Sequence, residues 1–481
     1  MSNEQQGIQL RDQKTASTIL YEVLGSSVDR FSEVFAGLDW PHDAKLFRDQ
    51  YVSLLPEFEA TRLVSDQSQE IARFLAAEIQ DQLVWQDDAG QRVLSEYLQE
   101  QLTDHAAALP LTEVVGQKTQ HWQPEFDYDD KRWVKFDELG RRLAAKNVIS
   151  AEAAEALDWL AHNALSDGEL SLKGRKIVVL GAAAEMAPTK YFLQTGAQVL
   201  WIDRTSPPDE LLKGTDFSGR LHYVESQTDL LSQLPEILAT TIAFAAGQPV
   251  DLCLYAYAPG QARELRLTGA MNALVNAMPA KLIDTVTMLV SPTTPSQLSP
   301  RDLAATQTRY RERPGWEATL EQLGLLGRGG GYVARDSLGV TRTLVSIQGV
   351  SYQAAQYLCK VITAECWATH GPPTASTASP IRTSANTAAI TQTRSLDHPV
   401  FDAAFGGAAA LQVETFSPMQ SQCLNGLLAI YDWLGPKQPV PGRIRVHGGI
   451  HTLPYPLEYA LRPAAAIGFV RRPRLLAGFF R

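Results

Sequence analysis

The chain has 481 residues, of which 45% are hydrophobic and 20% are charged, a composition typical of globular proteins and not of disordered ones. Its formal net charge of -10 argues against a nucleic-acid partner, because such a partner needs a basic face. One core usually serves at most roughly 250–300 residues, so two or three domains are expected. The polar N-terminus and the lack of any run of ~18 apolar residues predict a cytoplasmic location.

The N-terminal third predicts a helical domain over residues 1–170. Apolar residues recur at three- and four-residue spacing in three windows, Glu70 to Val84, Gly90 to Leu102 and Phe136 to Leu165, and this spacing favours amphipathic helices. Ser150, followed by Glu152, is placed as a helix N-cap within the last window.

The stretch from Lys176 to Arg204 predicts a strand–helix–strand unit. The apolar run 177–180 ends on Gly181, a helix begins at Pro188, and the second apolar run 199–202 ends on Asp203. A strand, a glycine turn, a helix and a strand that ends in an acid form the first unit of a nucleotide-binding sheet.

Strands and helices continue to alternate after this unit. Further strands are predicted at 221–224, 251–256, 285–290 and 344–348, with helices at 230–245, 262–278 and 352–367. This alternation predicts an α/β fold with a doubly wound parallel, Rossmann-like sheet over residues 171–370. Ligands of such sheets bind beyond the carboxyl ends of the strands.

The C-terminal part is predicted as a Ser/Thr/Pro-rich linker or loop over 371–395 and a capping segment over 396–481 that contains a helix at 421–434. The glycine-rich stretch 323–340 is either a mobile lid or a plain connection. The tail carries Arg471, Arg472, Arg474 and Arg481 beside Phe479 and Phe480. It either makes a peripheral contact with an anionic membrane or belongs to a helix packed on its own protein.

Two further patterns do not indicate a metal site. The four cysteines contain no Cys-x-x-Cys pair and read as reduced thiols. His447 and His451 are four residues apart, but two glycines between them disfavour a helix and no third ligand is evident. We therefore expect no metal there, and place this segment in a loop near the active site or on the surface.

The residues expected to bind a dinucleotide follow the first two strands. In the turn 181–187, only Gly181 matches the usual glycine fingerprint. Ala183 or Ala187 still allows close packing, and Ala183 and Met186 of this turn are expected to contact the cofactor. Glu185 would repel a pyrophosphate unless it turned away or paired with a cation. Asp203 is placed to bind ribose hydroxyls and favours NAD.

The identity of the nucleotide stays open. Arg204 follows Asp203 and offers a counter-charge for the 2′-phosphate of NADP. S-adenosylmethionine enzymes also place an acid at this strand end, so the cofactor is NAD, NADP or S-adenosylmethionine.

Over residues 174–370 the chain resembles the short-chain dehydrogenase/reductase superfamily. The segment 257–260, Tyr-Ala-Pro-Gly, is similar to the one that follows the fourth strand in that superfamily, which implies that Ala258 and Gly260 contact the cofactor. Asn272 or Asn276 is similar in position to the asparagine that orders a water of the proton relay. Ser291 is similar in position to the serine that steadies the substrate carbonyl.

The catalytic Tyr-x-x-x-Lys pair of that superfamily is missing. Tyr352 has Gln356 four positions later and Lys360 eight positions later, which is about two helical turns. Enoyl reductases of the superfamily show wider spacings, so Tyr352 and Lys360 rank ahead of Tyr310. The resemblance implies that the tyrosine donates a proton, and that the lysine lowers its pKa and holds the cofactor ribose.

Together these observations predict an NAD(P)-dependent oxidoreductase that acts on a carbonyl or enoyl group of a small or acyl-type substrate. The expected catalytic residues are Tyr352, Lys360, Ser291 and Asn276. The alternatives are a methyltransferase and a non-catalytic Rossmann-type scaffold, the latter favoured by Glu185 and by the missing motif. A small-molecule substrate is expected, and homo-oligomerisation is left open.

Overall fold

The computed structural model describes residues 6–103, 106–258, 260–373, 379–387, 389–393, 396 and 398–475. It is a mixed α/β protein around a seven-stranded, mostly parallel sheet. The predicted α/β class is therefore confirmed.

The strands, in chain order, are β1 Gly7–Leu10, β2 Leu83–Asp87, β3 Gly90–Val93, β4 Thr112–Val115, β5 Phe126–Tyr128, β6 Lys131–Trp133, β7 Leu165–Ser166, β8 Glu169–Leu170, β9 Lys176–Leu180, β10 Gln198–Ile202, β11 Arg220–Tyr223, β12 Val250–Leu254, β13 Ile283–Leu289, β14 Tyr332–Arg335, β15 Leu338–Thr341 and β16 Arg382–Thr387.

The helices are α1 Ala16–Arg30, α2 Ala44–Val64, α3 Ser68–Asp81, α4 Leu94–Thr103, α5 Phe136–Ala145, α6 Ala151–Asn163, α7 Thr189–Gln194, α8 Asp209–Leu212, α9 Leu234–Ala245, α10 Gln261–Ala277, α11 Pro300–Arg311, α12 Gly315–Gln322, α13 Val350–Gln353, α14 Thr363–Thr369, α15 Pro399–Ala408, α16 Pro418–Leu434 and α17 Leu457–Arg471. A π-helical segment, Ala354–Ile362, joins α13 to α14. Short 3₁₀ turns lie at Arg11–Gln13, Ala280–Leu282, Ser346–Gln348 and Ala409–Leu411.

The central sheet has the strand order β16-β13-β12-β9-β10-β11-β4. Its first six strands run parallel, and β4 pairs antiparallel with β11 at one edge. Leu180 at the end of β9 pairs with Ile202 on one side and with Leu254 on the other. The segments that follow these three strands therefore emerge side by side, where ligands of parallel sheets bind.

Alternate residues of β9 enter two different cores. Val178 and Leu180 pack with residues of α1, α2, α3, α9, α10 and the π-helical segment, whereas Ile177 and Val179 pack with residues of α5, α6 and α16. All four side chains are fully buried, as expected for a strand covered on both faces. The N-terminal helices thus share cores with the sheet. The predicted boundary at residue 170 stays a prediction.

Several predicted elements lie where the sequence placed them, within one to four residues at their ends. Ser150 caps α6 by accepting a hydrogen bond from the amide of Ala153, as expected. The glycine-rich stretch 323–340 holds a β-hairpin, β14 with β15.

The strand predicted at 344–348 is wrong. Ser346–Gln348 forms a 3₁₀ turn, and the sixth parallel strand is β16, inside the predicted linker. Thr383 and Ser384 of β16 are buried, and the Ser384 hydroxyl donates to Asp432, which pairs with Arg445 at 2.6 Å. These partners satisfy the buried polar groups of β16. The strand can therefore lie inside the sheet although its sequence shows no hydrophobic pattern.

The C-terminal segment contributes α16 to one face of the sheet and a helix pair, α15 with α17. Arg471 at the end of α17 donates to the carbonyl of Gly406, at 3.2 Å, while Arg472 and Arg474 are exposed. Phe479, Phe480 and Arg481 lie outside the described residues, so the membrane contact stays a prediction. In the part of the chain that the structure describes, no helix has the length and apolar character to cross a membrane.

Candidate functional site

A cavity of about 910 Å³ lies at the carboxyl edge of the parallel strands, near the upper end of the ~300–1,000 Å³ usual for ligand sites. All but one of the predicted site residues line it. These are Gly181, Ala183, Met186, Asp203, Arg204, Ala258, Gly260, Ser291, Tyr352 and Lys360.

The exception is Asn276, which does not line the cavity. Its side-chain oxygen accepts a hydrogen bond from the indole N–H of Trp367, at 2.8 Å. Asn272 is equally engaged, since its amide donates to the carbonyl of Cys359 at 2.7 Å. Both asparagines bond α10 to the neighbouring helical segments. The structure thus places Asn276 outside the cavity wall, and its expected catalytic role stays a prediction.

The turn after β9 requires a glycine at its first position. Gly181 has φ +88°, and a Cβ atom there would lie 2.2 Å from the Cα atom of Ala256. The turn then closes through hydrogen bonds from the amides of Ala184 and Ala187 to the carbonyls of Gly181 and Ala184, at 3.0 and 2.9 Å. It leads into α7, which has only six residues.

Asp203 is held in a fixed orientation at the end of β10. Its two carboxylate oxygens accept from the backbone amides of Ala183 and Thr205, at 3.0 and 2.8 Å. Each oxygen keeps a lone pair for a ligand hydroxyl. Arg204 stands at the rim, 55% exposed in its side chain, with its Nε atom 3.6 Å from Oδ2 of Asp229.

Ser291 and Tyr352 form a polar pair in the cavity wall. Both side chains line the cavity. The Ser291 hydroxyl lies 2.8 Å from that of Thr293, and the amide of Ser291 donates to the side-chain oxygen of Gln356 at 3.0 Å. Burial raises the pKa of Tyr352, and the nearby Ser291 hydroxyl only partly opposes this. The phenol is therefore protonated at neutral pH, and its pKa is not lowered as the resemblance implied.

Tyr352, Gln356 and Lys360 follow one another at four-residue spacing, and all three line the cavity. The last two lie in the π-helical segment, a conformation that is rare and frequent at functional sites. Gln356 thus lies four residues after Tyr352, at the position that the lysine has in a Tyr-x-x-x-Lys pair.

A buried ion pair, which the sequence did not reveal, completes the polar wall. The Nζ atom of Lys360 lies 3.9 Å from Oε1 of Glu264 and donates to the carbonyl of Leu289 at 3.0 Å. Glu264 also accepts from the amide of Ala258 at 3.0 Å and from Gln356 at 3.2 Å. Burial raises the pKa of Glu264 and lowers that of Lys360, and their mutual attraction opposes both shifts.

Another part of the cavity wall is apolar, and we call it the chain pocket. Helix α15 supplies Phe401, Ala404, Phe405 and Ala408. Helix α17 supplies Leu457, Ala460, Leu461 and Ala464. From Ala389 onward, none of the described lining residues carries a charge.

His447 and His451 are buried rather than on the surface. Their rings stack at 4.8 Å between centroids, and Nε2 of His451 lies 3.1 Å from the carbonyl oxygen of Pro292, a cavity residue. Burial lowers the pKa of both imidazoles to about 3, so both are neutral at physiological pH. The surface alternative is wrong, and the loop lies beside the cavity.

A scan against protein-family models found none that matches the chain. A search of curated proteins likewise found no significant match.

Proposed function

We propose that the chain is an NAD(P)-dependent oxidoreductase acting on a carbonyl or enoyl group. The observation that carries the proposal is that a single cavity joins Asp203 to the Ser291–Tyr352 pair. The sheet supports it. Numbered one to six along the chain, its parallel strands have the order 3-2-1-4-5-6, which is the order of doubly wound Rossmann sheets. The cavity lies where this order reverses, between β9 and β12.

The residues present fit a dinucleotide at the strand ends. Gly181 lets the turn pack against the backbone of Ala256, and Asp203 offers acceptors for the ribose hydroxyls. Gly260 has φ +105° with no atom within 4 Å of its Cβ position, so that backbone is open to a ligand. The nicotinamide, when bound, would supply or accept the hydride.

We expect NAD to be preferred over NADP. The Asp203 carboxylate would repel a 2′-phosphate, and the counter-charge of Arg204 is shared with Asp229. Glu185 also lines this end of the cavity and adds negative charge, which penalises the more highly charged nucleotide.

The polar wall supplies the acid. Tyr352 is protonated at neutral pH and donates to the substrate, and Ser291 orients its hydroxyl. Lys360 is held by Glu264 and by the carbonyl of Leu289, so it organises the wall and does not act directly on the tyrosine. Proton transfer from such a positioned group contributes roughly 10²–10⁴-fold to the rate.

Calorimetric titrations with NADH, NADPH and S-adenosylmethionine test the proposal. We expect saturable binding of NADH, weaker binding of NADPH and none of S-adenosylmethionine. In Asp203→Asn, the loss of a charge-assisted hydrogen bond should weaken NADH binding by about 10- to 100-fold. Asp209→Asn, which neutralises an exposed acid outside the cavity, should leave it unchanged.

Other outcomes overturn the proposal in distinct ways. Binding of S-adenosylmethionine alone would identify a methyltransferase. Binding of none of the three nucleotides would favour the non-catalytic scaffold.

A further inference from the structure

We propose that the chain pocket binds an unbranched aliphatic chain, the tail of the substrate. For the position of the reacting group, this inference rests on the proposed function. It names the substrate class as an acyl compound with a chain long enough to pass from Ser291 and Tyr352 to the cavity wall that α15 and α17 form.

The walls of the pocket are apolar, and their small side chains leave room for a ligand. Four alanines of α15 and α17 line it, namely Ala404, Ala408, Ala460 and Ala464. Larger residues at these positions would fill the space. Beside the pocket the two helices meet closely, since a Cβ atom at Gly407 would lie 1.9 Å from the carbonyl oxygen of Ala464. This contact fixes the two helices relative to each other. The alanine-lined wall that they form is therefore a fixed part of the structure.

The distribution of charge orients the ligand. Asp203, Arg204, Arg263 and Glu264 line the cavity outside the chain pocket, whereas the described residues of the chain pocket offer no counter-charge to a phosphate or carboxylate. Burying an ionised group there would be costly, while burying methylenes is favourable. A substrate with one polar and one aliphatic end therefore places its polar end at Ser291 and Tyr352.

Calorimetry with octanoate and dodecanoate, without nucleotide, tests the inference. Each added methylene should tighten binding by up to about fourfold. Dodecanoate has four more methylenes than octanoate, so we expect it to bind between about 10- and 250-fold more tightly. Ala460→Phe places a ring in the pocket and should weaken dodecanoate binding more than tenfold. Ala466→Phe is the matched control, because Ala466 is exposed on the same helix, and it should bind as the wild type does.

If Ala460→Phe does not fold, Phe405→Ala provides the test, because it removes side-chain volume from the pocket wall and cannot overpack the core. It should favour hexadecanoate over dodecanoate relative to the wild type. Affinities independent of chain length, equal binding by Ala460→Phe and Ala466→Phe, or an unchanged length preference in Phe405→Ala would each overturn the inference. Because nucleotide is absent, NADH binding without fatty-acid binding overturns this inference alone, and the reverse overturns the proposed function alone.

Discussion

At the scale of single residues, the polar wall depends on two ions that are almost completely out of water. The side chains of Lys360 and Glu264 are 6% and 4% exposed. Each ion has partners beyond the other: the Leu289 carbonyl for the lysine, and the Ala258 amide and Gln356 for the carboxylate. Removing one member of such a pair leaves the other charge buried without a partner, whereas removing both leaves no unpaired charge.

We expect Glu264→Gln to lower the free energy of unfolding by about 3 kcal/mol, because Lys360 is left buried without its counter-ion. The double variant Glu264→Gln/Lys360→Met should lose less than the sum of the two single variants. Urea denaturation of all three gives the coupling energy. Glu155→Gln breaks the exposed pair with Lys437 and should show no measurable change. Strict additivity would contradict the account of the wall.

The two stacked histidines predict acid sensitivity. Unfolded histidine takes up a proton near its ordinary pKa of about 6.5, but His447 and His451 do so only near about 3 in the fold. Above pH 6.5 both histidines are neutral in the folded and the unfolded state, so they do not lower the free energy of unfolding. As the pH drops from 6.5 towards 3, only the unfolded state takes up these protons, and the free energy of unfolding decreases. At pH 5 the loss is about 2 kcal/mol for each histidine.

Burial raises the pKa of Asp302, so this carboxyl also contributes to the pH dependence of stability. Its contribution is common to the wild type and the histidine variants, so comparing their pH dependence isolates the effect of the histidines. Between pH 7 and pH 5, His451→Gln should lose about 2 kcal/mol less than the wild type in urea unfolding. His42→Gln, at an exposed position, should follow the wild type. An identical pH dependence in His451→Gln would count against neutral buried histidines.

At the scale of elements, the pairing of α15 with α17 depends on glycines. A Cβ atom at Gly468 would lie 1.8 Å from the carbonyl oxygen of Ala403, whereas one at Gly406 would come no closer than 3.7 Å to Gly468 Cα. Both glycines lie inside helices. The same substitution therefore has opposite consequences at the two positions.

Gly468→Ala should force the helices apart and cost about 1–3 kcal/mol. Gly406→Ala should instead stabilise the protein by about 0.5 kcal/mol, because alanine restricts the unfolded chain without a clash. Thermal and urea unfolding of both variants measures the contrast. If both variants were stabilised, the close crossing of the helices would be refuted.

Elements that carry a periodic hydrophobic signal could be predicted from the sequence, and those held by polar contacts could not. Strands β9, β10, β12 and β13 are apolar and were placed correctly. Strand β16 is rich in threonine and serine, and its place in the sheet depends on Asp432 and Arg445, which are distant in the chain. Glu264 was missed for a related reason: an acid in the first turn of a helix is usually an exposed capping residue, and only the fold buries this one.

At the scale of the whole molecule, the cavity combines two parts of the chain. Its polar end follows from the rule that ligands lie beyond the carboxyl ends of parallel strands, so the sequence could locate most of those residues. Its apolar end arises because the helices of the C-terminal segment pack over that edge, a contact between distant elements that no local pattern encodes. In the proposed function, a nucleotide and an acyl chain would occupy different parts of this cavity.

A crystal structure of the protein with NADH bears most directly on the central claim. We expect the adenosine ribose to have its hydroxyls within hydrogen-bonding distance of the Asp203 carboxylate, about 3 Å. We also expect the nicotinamide beside Ser291 and Tyr352, with the chain pocket left free. NADH bound away from Asp203, or bound with its nicotinamide outside the cavity, would contradict the account.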